Sequence, residues 1–265
     1  MAVASKHDTH LEAALKRHID VLSVNIGPRP VGSVGNLRAE RYIATVLAEA
    51  GLTVERQAFD CMDWQLRAAT VALNGEPLPV KPNNYSAACD VTGPIVVSNT
   101  IEDLDSRELA GKVLVLHGGL SAEPWLPRHF HFFSIKDQLR LIDRLEHERP
   151  LAVITVSPRN EHVRPIIEDG DFSVPSVTVG AQTGARLIDA ENQMAHVRID
   201  STTRAERAAN VVGCSAMPLQ DHAPQVLLCA HFDTKHGTPG ALDNASGVPG
   251  RMPTPGAPRS TRLAL

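Results

Sequence analysis

Residues 227–248, LLCAHFDTKHGTPGALDNASGV, decide how the chain is read. The run opens apolar, as a buried strand does, and its end delivers His231 and Asp233 two positions apart, on one face of an extended backbone. In open α/β sheets, ligands sit at the carboxyl ends of strands. Asp243 follows in GTPGALDNASG, a loop of small residues that lets a carboxylate approach a cation closely. One imidazole with carboxylates is a donor set for zinc or a similar first-row dication. The plainer alternative is that Asp243 and Asn244 only make a turn.

Upstream, residues 9–24 (THLEAALKRHIDVLSV) place Leu11, Leu15, Ile19 and Leu22 on one helical stripe, which IGPRPVGS then breaks. A second helix is predicted over NLRAERYIATVLAEAG, capped by Asn36 and ended by Gly51, with the strand LTVERQAFD after it. From about Trp64 the pattern changes to short strands: LRAATVALNG, GPIVVSN, GKVLVLHGG, LAVITVS and VPSVTVG. Two helices lie among them, SIKDQLRLIDRLEHER starting at Ser134 and GAQTGARLIDAEN. RAANVVGCSA and PQVLLCAHFD then resume apolar strands of the buried, parallel-sheet type. The prediction is an α/β domain split by a β-rich insertion.

With 265 residues, 43% of them hydrophobic, the chain has room for one large core or two modest ones. A net charge of -4 without a block of like charges gives no footprint for nucleic acid or an anionic membrane. No stretch approaches the ~20 apolar residues of a membrane span. The opening residues, interrupted by Lys6, His7, Asp8 and His10, lack the apolar run of a signal peptide, so a cytoplasmic location is expected. Cys61, Cys89, Cys214 and Cys229 are too scattered for a zinc ribbon or a disulfide framework and read as ordinary thiols. Neither a G-x-S-x-G nucleophile setting nor a nucleotide-binding glycine pattern occurs.

AHFDTKHGTPGALDNASGV resembles the first metal-binding segment of the bi-zinc aminopeptidases, the family 28 metallopeptidases. The resemblance implies that His231 ligates one zinc, that Asp233 is the catalytic carboxylate orienting it, and that Asp243 bridges two zinc ions. ANVVG and GPRPVGS resemble the family's entry into its core sheet and its opening. ELAGKVLVLHGG, PLAVITVS and FSVPSVTVGAQTGARL resemble the protease-associated domain inserted in many of its members. The implied organisation is residues 1–61 and 204–248 as a zinc-exopeptidase-like α/β domain, incomplete, with 62–203 as the inserted domain. The implied activity is hydrolysis of the N-terminal bond of a peptide substrate. A rival from another class is a non-catalytic module in which the insertion captures peptides or proteins. Oligomeric state is not readable.

The family's site also needs a general-base glutamate beside a ligand glutamate, then a further aspartate and histidine. No Glu, Asp or His follows Asp243 here, and no Glu-Glu pair occurs anywhere. Residues 249–265 hold four prolines and three arginines and cannot continue a helix. The expectation is therefore a chain that leaves its family after the first metal-binding segment, either truncated by a shift of reading frame or ending in a natural disordered tail, with doubtful zinc occupancy and no peptidase activity. Of the remaining histidines, His129 and His131 form an H-x-H read as part of a packed loop, and His236 is read as a rim residue of the metal loop. His117, His147, His162, His196 and His222 are read as surface residues, and Glu168–Asp171 as a solvated turn.

Overall fold

A computed structural model describes residues 6–129, 135–159, 163–214, 227–248 and 262–264. In chain order the helices are α1 (Lys6–Asp20), α2 (Val34–Glu49), α3 (Ile101–Asp105), α4 (Lys136–Glu148) and α5 (Ala181–Asp189). The strands are β1 (Thr53–Leu73), β2 (Glu76–Leu78), β3 (Lys81–Pro82), β4 (Cys89–Ser98), β5 (Val113–Leu116), β6 (Ala152–Val156), β7 (Ser176–Val179), β8 (Met194–Cys214), β9 (Leu227–Cys229) and β10 (Arg262–Ala264). The fold is mixed α/β. The chain divides into two compact units, residues 1–63 with 204–265 and residues 64–203.

In the first unit α1 runs into one wide turn, Val21–Ile26, which stops at Gly27. Ser33, not Asn36, caps α2: its extended backbone lets its hydroxyl accept the Asn36 N–H at 3.1 Å. Asn36 sits inside the first turn and is buried. Gly35 is required there because a Cβ would stand 2.3 Å from the Pro28 carbonyl, so only glycine lets the GPRP segment lie on the helix. Ala39, Ile43, Ala44 and Leu47 form the inward stripe of α2 and pack with Leu22, Val211, Phe232, Ala245 and Val248.

In the second unit four strands, β4 to β7, run parallel in order. β8 flanks β4 and β3 flanks β7, both antiparallel. Period-two alternation sorts the two faces. Ile95, Val97, Val113, Val115, Ile154 and Val177 turn toward Leu187 and Ala190, at the end of α5. Val96, Leu114, Leu116 and Val153 turn toward Leu141, Ile142 and Leu145 of α4. Helices therefore cover both faces, which is why these strands read as continuous apolar runs.

Three further expectations change. LTVERQAFD and LRAATVALNG belong to one 21-residue strand, β1, and RAANVVGCSA is the end of another, β8. Composition shifts near Cys61 and Arg204, but no glycine or proline interrupts the backbone there. β8 is not of the parallel type: it is antiparallel to β4 and to β10. An apolar run reports burial on two faces, not strand direction. Finally, Ser134, the predicted start of α4, lies outside the described residues, and the helix follows Ile135 without a side-chain cap. No described helix is long and apolar enough to cross a membrane.

Candidate metal centre

The strand leading to the site ends earlier than predicted, at Cys229, and His231 and Asp233 follow it. Alternation nevertheless holds across them. Phe232 turns into the first unit's core at 7% exposure, while His231 and Asp233 keep side-chain exposures of 52% and 39%. Burying the middle residue of the three fixes the outer two on the solvent side.

Asp243 reaches the same place from the loop. Ala245 and Val248 are fully buried against the α2 core and anchor the segment, leaving the Asp243 side chain 81% exposed. The Asp243–Asn244 peptide is cis. Gly240 turns the chain at φ 57°, and a Cβ on it would stand 2.3 Å from the Thr234 methyl. The three predicted residues thus meet on one imidazole: Nδ1 of His231 lies 3.2 Å from Asp233 Oδ1, and Nε2 lies 2.9 Å from Asp243 Oδ1. Both pairs are solvent-exposed, so their Coulomb energy is small. Their value is geometric.

The donor chemistry fits a first-row dication. A carboxylate on Nδ1 favours the tautomer that would leave Nε2 free to bind a metal. Two donors sharing a tetrahedral zinc at bond lengths of about 2.0–2.1 Å stand roughly 3.3 Å apart, a few tenths of an ångström wider than the distance from Nε2 to Asp243 Oδ1. The number of donors does not complete a sphere: among the described residues no group of three or more His, Cys, Asp or Glu side chains is arranged to hold a metal ion.

Arg29, unmarked by the sequence pattern, organises the loop. It is fully buried, and its guanidinium donates to the carbonyls of Leu22, Gly27, Phe232, Pro239 and Gly240. Its backbone N–H donates to Thr234 Oγ1 at 2.9 Å, and Thr234 N–H returns a bond to the Arg29 carbonyl at 3.3 Å. Burial lowers the guanidinium pKa, while the Asp233 charge acts in the opposite direction. The available signal was an arginine between two prolines in an otherwise uncharged turn.

The other candidates separate. His236, read as a rim residue, is drawn inward: burial pushes its imidazole below the usual value, with the Asp63 carboxylate opposing. His129 is not packed but 80% exposed, 3.9 Å from Asp171, while Trp125 of the same segment is buried at 4% exposure. His131, His162 and His222 lie outside the described residues. His196 pairs with Asp90 at 2.7 Å. The Glu168–Asp171 run is not simply solvated: Asp169 is buried and accepts from Arg128 Nε at 2.7 Å, a partner 41 residues away that local sequence does not reveal.

Residues 210–252 match the profile of Peptidase family M28. Over 248 residues the chain is 23% identical to a Mycobacterium tuberculosis protein described as "Probable lipoprotein aminopeptidase LpqL", covering 89% of this chain and 46% of that one. Among solved structures, BSAP, a zinc aminopeptidase from Bacillus subtilis, superposes with a TM-score of 0.71 at 20% identity, covering 96% of this chain and 60% of the other. An aminopeptidase from Aneurinibacillus sp. strain AM-1 superposes at 0.67 and 22% identity, covering 95% and 61%. These likenesses establish the fold. The chain spans about half the length of the curated relative and about 60% of these structures.

Proposed function

We infer that this chain, a member of peptidase family M28, is built for metal-dependent aminopeptidase chemistry on peptides, with His231 and Asp243 as zinc ligands. The observation that carries the reading is the His231 imidazole held between two carboxylates, Asp233 on Nδ1 and Asp243 on Nε2. Zinc bound there supplies Lewis acidity toward a carbonyl oxygen and a lowered pKa for water.

The chain's own residues have distinct roles. Asp233 keeps the proton on Nδ1 and sets the plane of the ring, so that the Nε2 lone pair faces the loop. Asp243 places one carboxylate oxygen beside Nε2, and the two residues together would hold a zinc ion. Phe232 and Ala245 fix the two backbones that carry these groups. Residues 64–203 serve as an inserted domain of the protease-associated kind. The relatives named above are peptidases, so the non-catalytic module is not favoured.

Among the described residues two proposed ligands and an orienting carboxylate converge, and no glutamate is placed beside them as a general base. We propose that this polypeptide binds zinc weakly and does not turn over peptides by itself. Calorimetric zinc titration of the purified chain and of Asp243→Asn tests the ligand assignment: binding unchanged in the variant removes it. Zinc-dependent release of an N-terminal amino acid by this polypeptide would overturn the proposed inactivity.

A further inference from the structure

We infer that Arg29 is a positioning residue: its guanidinium sets the distance between the backbone carrying His231 and the loop carrying Asp243. The inference rests on the proposed metal reading for its purpose, but its geometry stands without a metal. Arg29 is fully buried and cannot touch a substrate. Its acceptors fall on three segments: Leu22 and Gly27 bounding the turn after α1, Phe232 between His231 and Asp233, and Pro239 with Gly240 just ahead of Asp243.

The chemistry of the side chain explains why one residue suffices. A guanidinium is planar and presents its five N–H groups in a rigid fork. Nε donates to Phe232, Nη1 to Pro239 at 2.7 Å and Nη2 to Gly240 at 3.1 Å, so the separation of those carbonyls is dictated by a covalent plane. The Gly240 carbonyl also accepts from Ala245 N–H at 2.9 Å, which carries the constraint around the bend holding Asp243. The pair of bonds with Thr234 prevents Arg29 from sliding along the segment. A buried charge that served only cohesion could be replaced by apolar packing without loss. Here it bonds both segments that carry the proposed ligands.

The test uses the full chain, isotopically labelled and metal-free, with the His231 ring nitrogens observed by NMR and assigned by their loss in His231→Gln. Arg29→Lys keeps the charge and loses the fork. The expected result is displacement of the His231 Nε2 resonance toward its position in Asp243→Asn. Leu47→Ala, which removes a fully buried side chain of the same core, weakens the fold without that displacement. Cobalt titration of the same samples is expected to show affinity falling about 10- to 100-fold in Arg29→Lys.

An unmoved His231 resonance in Arg29→Lys overturns the inference whatever the metal does. A displaced resonance in a chain whose wild type takes up no cobalt sustains the positioning role and removes the metal reading. If Arg29→Lys does not fold, the wild type supplies the measurement. Coupling is reciprocal, so bound cobalt must slow hydrogen exchange at Arg29 Nε, and unchanged exchange in the cobalt-loaded chain overturns the inference.

Discussion

Arg29 and Thr234, 205 positions apart, exchange two hydrogen bonds: Arg29 N–H to Thr234 Oγ1 at 2.9 Å and Thr234 N–H to the Arg29 carbonyl at 3.3 Å. This strap ties the turn before α2 to the segment after β9. Thr234→Val keeps the volume and leaves the Arg29 N–H buried without its acceptor. Equilibrium urea unfolding is expected to show a loss of about 1–3 kcal/mol. Thr234→Ser, which retains the hydroxyl, should recover most of it.

Asp233 meets the proposed ligand at Nδ1, the ring nitrogen away from Asp243. Asp233→Asn therefore leaves both donors in place while weakening the hold on the ring. Zinc affinity, read by competition with a chromophoric chelator, is expected to fall about 10- to 100-fold. The thermal midpoint should stay close to wild type, because the Asp233 side chain is 39% exposed. Equal affinities in the two chains would remove Asp233 from the site.

The unit spanning residues 64–203 carries a different electrostatic lock. Arg128 bonds Glu146 at 2.7 and 3.0 Å and Asp169 at 2.7 Å, and the Arg128 guanidinium holds the Glu146 carboxyl down at about 2. A depressed folded-state pKa means stability that is fully present above the unfolded value of 4.5 and is lost as pH falls toward about 2. Unfolding followed by Trp125 fluorescence should show this loss across that window. Arg128→Met strands Asp169, whose side chain is 1% exposed, and should cost about 3–5 kcal/mol at neutral pH.

Thiol reactivity distinguishes the cysteines. Burial pushes the Cys89 thiol up to about 11, whereas Cys229 is exposed. Since the thiolate is the nucleophile, iodoacetamide at pH 8 is expected to label Cys229 and spare Cys89 in the folded chain. Peptide mass spectrometry reads the difference. Labelling of Cys89 at an equal rate would contradict the packing of β4 against β8.

Much of the fold was legible because its signals are local. The strands from Val113 to Val179 announced themselves as short apolar runs between turns, and α5 as a stripe after Gly180. The site was legible in part for the same reason: His231, Asp233 and Asp243 fall within thirteen residues of one another in sequence and converge in space. What stayed hidden depends on distant partners. Nothing near Arg29 in sequence states that its acceptors lie at Phe232, Pro239 and Gly240. Asp169 looked like surface because Arg128 is remote from it. The strand merging through Cys61 was missed because a change of composition leaves an extended backbone unbroken.

Among the described residues, every acceptor on the Arg29 guanidinium is a main-chain oxygen. Peptide oxygens survive every codon change at their own positions, so side chains at Leu22, Phe232 and Pro239 can drift across evolution without deleting an acceptor. Genetic vulnerability of these five guanidinium bonds is thereby gathered into a single triplet, the one encoding residue 29.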